Sequence, residues 1–161
     1  MAVFHVVSGP SLAPQLAAQL AGLLAGAPGA VRVLLGVYGA VIGGSLASFL
    51  GVVGDRLPAG QGLGGRSHCA CGRTLRPAEL VPAAGWARLA LRHQGKAPCC
   101  GTSVPARYGL SEAGLGAAAG LAAGFAGVGI VSAAVLAVGA VVVGVWHWHA
   151  GRRAASAGRG V

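Results

Sequence analysis

The sequence predicts an all-α integral membrane protein with three transmembrane helices and one cytosolic, cysteine-containing loop, and three observations carry that prediction. Hydrophobic residues make up 55 % of the 161 positions and charged residues only 9 %, with a mean hydropathy of +0.71, whereas a soluble domain carries roughly 25 % charged residues. Residues 33–53 and 113–151 contain no Asp, Glu, Lys or Arg. The charges are segregated: residues 54–112 hold eight of the twelve Lys/Arg and all three acids, Asp55, Glu79 and Glu112. Lipid, rather than water, is the solvent this composition suits.

The formal charge of +9 and pI near 11.1 would suggest a nucleic-acid partner in a soluble protein. Here the four basic residues outside the loop, Arg32, Arg152, Arg153 and Arg159, flank apolar runs, where the positive-inside bias places cytosolic anchors. Topology accounts for the charge, and no nucleic-acid role is expected. The thirty glycines and abundant alanines suit close approach of membrane helices, beside any enrichment from a biased base composition.

Residues 1–30 are uncharged apart from the amino terminus and broken by Pro10, Pro14 and Pro28. With no Lys or Arg before Arg32 they lack the basic start of a secretory signal, and they read as an apolar, interfacial segment. Residues 31–53 form the first transmembrane helix: Val33 to Val53 is 21 uncharged residues, enough to cross a hydrocarbon core of about 30 Å. Its Gly36, Gly39, Gly43, Gly44, Ser45, Ala47 and Ser48 recur at the spacing of a close-contact stripe. Residues 54–112 form the cytosolic basic loop. Residues 113–149 are too long for one crossing and read as a transmembrane hairpin turning near Gly124 to Gly129, which returns the basic tail, 150–161, to the side of the loop. Trp146-His147-Trp148-His149 closes that run. Two histidines at i and i+2 point to different faces of a helix, so interfacial anchoring by tryptophan is expected there rather than a metal or haem site.

The chemistry lies in the loop. Ser67-His68-Cys69-Ala70-Cys71-Gly72 and Pro98-Cys99-Cys100-Gly101 are two cysteine pairs about thirty residues apart, each followed by glycine. In a reducing cytosol such pairs read as a structural metal site before disulfides, so Cys69, Cys71, Cys99 and Cys100 are the candidate ligands and zinc in a four-sulfur tetrahedron is the default ion. A knuckle normally uses Cys-x-x-Cys. Here the pairs are Cys-x-Cys and Cys-Cys, so His68 or His93 replacing a sulfur, or four unliganded thiols, stay open as alternatives.

These residues, in this order, resemble the bacterial type IV prepilin peptidases, which cleave prepilin leader peptides and N-methylate the new amino terminus. Ala47-Ser48-Phe49-Leu50-Gly51-Val52-Val53-Gly54-Asp55-Arg56-Leu57-Pro58 is similar to that family's exit from its first helix, and Arg66-Ser67-His68-Cys69-Ala70-Cys71-Gly72 to its first cysteine knuckle. Glu79-Leu80-Val81-Pro82 with Trp86 resembles the intervening segment, and Cys100-Gly101 through Arg107-Tyr108 to Glu112 the second knuckle leading into the next helix. Gly51 stands where the family has Asn, the first knuckle is one residue short, and Ala97 occupies the third cysteine's place, with Cys99 nearby as its substitute.

The resemblance implies prepilin processing for a type IV pilus or type II secretion system, zinc in the knuckle, S-adenosylmethionine as methyl donor, and a multi-pass position in the bacterial inner membrane. It covers the N-terminal cysteine-loop region alone. The family's peptidase half uses two aspartates, one in a Gly-x-Gly-Asp motif, and Asp55, preceded by Val52-Val53-Gly54, is the single aspartate here. The expectation is a membrane-anchored portion without that half, cut short or working with a separately encoded one, with a prepilin-like substrate and membrane lipid as partners. The alternative is a non-catalytic adaptor whose basic loop, net +5 from eight basic and three acidic residues, binds an acidic partner or anionic lipid.

Overall fold

A computed structural model describes residues 28–157 apart from 66, 70, 77, 78, 80, 82 and 83, with isolated positions 15, 19, 22 and 26 ahead of them. Most of the apolar segment expected over 1–30, and Arg159 of the tail, therefore lie outside the described residues, as do Arg66, Ala70, Leu80 and Pro82 and the side chain of Trp86. Among the described residues there are four helices and no strand: α1, Gly29–Arg56; α2, Ala84–His93; α3, Ala106–Ala126; and α4, Ile130–Ala157.

The helix limits follow from local chemistry. Pro28 and Pro105 cap α1 and α3, since proline fixes φ and lacks the N–H that a first turn leaves unpaired. Gly127, at φ 72°, ends α3, a left-handed geometry that glycine adopts without strain. Ser132 Oγ donates to the Gly127 carbonyl and fastens the turn into α4. Both hairpin helices outrun the uncharged stretch: α3 begins inside the charged loop and α4 continues through Arg152 and Arg153. They therefore have 21 and 28 residues, longer than the roughly 17 each that an even division of the uncharged run provides.

α1 packs mainly on α3 and then on α4. Gly36 faces Gly120 and Gly124, while Gly43 faces Leu115 and Ala119, so α1 and α3 run antiparallel. Leu50 faces Gly144 and Gly54 faces Gly151, so α1 and α4 run the same way. The α1–α3 seam is closed by backbone: a Cβ on Gly39 would sit 2.6 Å from the Ala119 carbonyl oxygen, and one on Gly43 2.5 Å from that of Leu115. Such proximity permits Cα–H···O contacts along the seam. The enclosed apolar cluster is small, Ala47, Leu115 and Val143 with Leu46 and Leu50 against it, while Val33, Leu34, Val37, Tyr38, Val41 and, on α4, Val138, Val141 and Val142 point outward. Small residues inside and large apolar ones outside invert the soluble pattern.

Two helices, α1 and α4, are long and apolar enough to cross a membrane; at 1.5 Å per residue each 28-residue helix is about 42 Å long. α3, the expected middle crossing, carries Arg107 and Glu112 in its first two turns. Its uncharged part, 113–126, is only 14 residues long, short of the roughly 17 that spanning takes. The chain direction brings the end of α1, the start of α3 and the end of α4 to one end of the bundle, and there the cysteine loop sits.

Candidate metal centre

Each cysteine pair is carried on its own tight turn. In the first, Cys69 N–H donates to the Arg73 carbonyl and Gly72 N–H to that of Cys69, with His68 bridged to Thr74 and Gly72 at φ 82°. In the second, Ala97 N–H donates to Thr102, Gly101 N–H to Ala97, Lys96 is bridged to Ser103, and Gly101 is at φ 71°. The glycine after each pair is the residue that lets the backbone reverse. The second turn closes over one residue more than the first, and the buried methyl of Ala97 stands where the first turn begins with Cys69. Cys99, inside the wider turn, supplies the thiol instead.

The turns meet. The four sulfurs all lie within 4.8 Å of one another. Sγ–Sγ distances are 3.1 Å for Cys69–Cys99, 3.4 Å for Cys69–Cys100, 3.4 Å for Cys71–Cys99 and 3.8 Å for Cys99–Cys100. A tetrahedron with Zn–S bonds of ~2.3 Å has edges of about 3.8 Å, so the cluster is of the size such an ion requires. All four are free thiols and three are exposed. Neither His68 nor His93 joins the converging donors; His68 lines the cavity beside them.

The surroundings favour thiolates at two positions. Hydrogen bonds from the Thr102 side chain and backbone bring Cys100 down to about 6. Its proximity to Cys69 and a bond from Arg73 lower Cys99, whereas the Cys99 contact pushes Cys69 up to about 12. Arg73 is itself braced by Glu79, whose carboxylate accepts from it at 2.8 Å and from the Arg76 N–H at 2.7 Å. Those two donors hold the Glu79 carboxyl below its ordinary range. Arg73 and Glu79 are thus supporting residues of the kind that orient metal ligands. The sequence signal for them is modest: each Cys-Gly is followed by polar residues, Arg73-Thr74 and Thr102-Ser103.

Between the turns and the ends of α1 and α3 lies a cavity of about 540 Å³, with Cys69 on its wall. All three acids of the chain line it. Arg107 donates to both Asp55 oxygens, at 3.2 and 3.3 Å, and ties the start of α3 to the end of α1. Arg56 donates to the carbonyls of Gly62 and Gly64 and folds the chain back over the end of α1. Asp55 thus has a structural partner and stands alone as an aspartate.

A family model of the bacterial peptidase A24 N-terminal domain matches residues 41–125, just over half of the chain. The chain belongs to this family. The matched span of this A24 N-terminal domain runs from the middle of α1 through both cysteine turns and α2 to the end of α3, and takes in every motif on which the family resemblance rests. Neither a curated protein nor a solved structure matches the chain.

Two features of the chain escaped the sequence reading. α2 was not anticipated inside the loop, although Arg88 and Arg92 at four-residue spacing fit a helix face. His147 is set apart from its neighbours: it is fully buried, while Trp146 and Trp148 are exposed. It packs where Gly51 and Gly54 of α1 leave room, beside the Tyr108 ring at 5.2 Å. Ser111 Oγ donates to the Tyr108 carbonyl and lies 3.1 Å from His147 Nε2, so the imidazole donates through Nε2–H and the histidine bonds α4 to α3.

Proposed function

We propose that this chain is the membrane-held cysteine-loop portion of a prepilin-processing enzyme, acting with a peptidase half that supplies the paired aspartates, in leader cleavage and N-methylation of prepilin-like substrates. The observation that carries the reading is the meeting of four thiols at the bundle end within the matched A24 domain. Zinc held by Cys69, Cys71, Cys99 and Cys100 would fix the two turns to each other as a structural ion. The residues themselves then define the floor over which substrate passes: Asp55, Glu79, Glu112 and Tyr108 face the cavity under the turns. Methyl transfer draws its methyl group from S-adenosylmethionine.

In this reading α1 and α4 cross the bacterial inner membrane, and the 21 residues of α3, about 32 Å long, return the chain between them with Arg107 and Glu112 at headgroup level. The loop faces the cytosol, with Arg56, Arg107, Arg152 and Arg153 on that side. Co-expression with a prepilin and a peptidase half is the test. Restored cleavage or methylation, lost again in Cys69→Ser or Cys100→Ser, is the expected result; no effect of the chain on either reaction overturns it.

Exposed Arg88, Leu91 and Arg92 on α2 favour a second reading, a non-catalytic adaptor whose loop engages an acidic partner. Capture of that partner should weaken between 0.05 and 0.5 M salt, roughly the range over which the Debye length shrinks below 5 Å; salt-insensitive capture argues against it.

A further inference from the structure

A second concavity lies at the same end of the bundle, away from the thiols. It has a volume of about 400 Å³ and is formed by Pro58, just past α1, and by Trp148, His149, Arg152, Arg153 and Ser156 of α4. Trp148 and Arg152, four residues apart, share one face of the helix. Its lining includes no carboxylate, since all three acids of the chain face the other cavity. Among the described residues neither arginine has an acidic partner; both ion pairs, Arg73–Glu79 and Arg107–Asp55, lie elsewhere.

We propose that this concavity is a phosphate-binding site that holds the headgroup of an anionic phospholipid. Two guanidiniums offer planar donor pairs suited to phosphate oxygens, and the Trp148 indole adds an N–H donor. The dipole at the end of α4 accounts for basic residues in its last turns, but not for a concave wall shared with Pro58 and Trp148. Lipid rather than free phosphate is the source because the site opens where two long apolar helices end, the level at which tryptophan and headgroups meet. The site is independent of the cysteine centre and uses none of the loop's basic residues.

The test uses the full chain in neutral maltoside detergent, where no charged surface concentrates ligand. Phosphatidylglycerol, phosphatidylcholine and inorganic phosphate are titrated separately and bound adducts are counted by native mass spectrometry. Phosphatidylglycerol should bind in preference to the other two. Arg152→Gln with Arg153→Gln should weaken it about fivefold per arginine, while Arg76→Gln with Lys96→Gln, an equal loss of exposed charge near the cysteine turns, changes it less than about twofold. An equal loss in both pairs, or equal binding of phosphatidylcholine, overturns the proposal, and binding of inorganic phosphate without the lipid overturns the lipid assignment. Tryptophan emission, which needs no arginine variant, should shift on adding phosphatidylglycerol and stay still in Trp148→Phe; a shift that survives in that variant places the lipid elsewhere.

Discussion

Gly39 and Gly43 hold α1 to α3 by having no side chain, whereas Cys69, Cys71, Cys99 and Cys100 hold the two turns together through theirs. The seam is a contact of backbone on backbone, with carbonyl oxygens where a Cβ would have to be. The turns are an arrangement of ionisable sulfurs, biased by Thr102 and Arg73. One region contains nothing that protons or oxidants can act on, and the other gathers four free thiols open to both. A single chain thus combines a permanent joint with a conditional one.

Gly43→Val attacks the permanent joint. Its side chain meets the Leu115 carbonyl at 2.5 Å and the Ala119 Cβ at 2.9 Å. Neither is the far end of a flexible side chain, so the cost should reach or exceed the ~3 kcal/mol upper end of ordinary overpacking. Loss of protease resistance across α1 and α3 in detergent is the expected readout; wild-type resistance would show that the helices part more easily than the packing implies.

Cys100→Ser attacks the conditional joint and should leave the first intact. One ligand of four is roughly a quarter of the ~10–16 kcal/mol of a structural zinc site, a loss of affinity on the order of 100-fold or more. Zinc content by mass spectrometry should fall from one per chain toward none, with unchanged helical circular dichroism. A fall in helicity would mean that the bundle depends on the turns.

Ser111→Ala tests a joint of intermediate kind, since it deprives the buried His147 of its acceptor without touching the backbone seam. A buried donor left unpaired costs about 1–3 kcal/mol, visible as a lower denaturation midpoint, and metal content should not change. Glu79→Gln should reduce metal affinity about tenfold, the lower end for a residue that orients a ligand. Because Arg73 holds the Glu79 carboxyl below its ordinary range, the brace is complete at neutral pH and disappears as pH falls below about 4.5, through the lowered value. In metal-free protein, acid should therefore loosen the turns of the wild type more than those of Glu79→Gln.

The smallest effect is confined to one sulfur. In metal-free protein Cys100 should be alkylated with an inflection near pH 6, and Thr102→Ala should move that inflection up toward the ordinary thiol value, since Thr102 is the main cause of the depression. An unmoved inflection would assign the depression to the neighbouring thiols.

Much of this was legible in the sequence because it is written in composition and spacing. Long uncharged runs mark the apolar helices, and the order of motifs from Ala47 to Glu112 marks the family. What stayed hidden depends on which residues face one another across helices. Trp146-His147-Trp148-His149 has the composition of an interfacial belt, and only the packing of α1 against α4 shows Gly51 and Gly54 clearing space for the one imidazole turned inward. Likewise Cys99 and Cys100 read as a broken knuckle, because local spacing cannot show the extra residue of the second turn swinging Cys99 over to Cys69.

The glycine seam also sets how this protein can change over generations. Along the outer faces of α1 and α4 any apolar residue serves, so Val, Leu, Ile and Ala are exchangeable there and substitutions accumulate freely. At Gly39, Gly43 and Gly54 the facing atoms would lie within 2.6 Å of any added carbon, so a single residue type is admissible. Most of the surface can drift while a handful of positions stay invariant, and an alanine-rich chain of this kind keeps its architecture through the places where it has no side chain to alter.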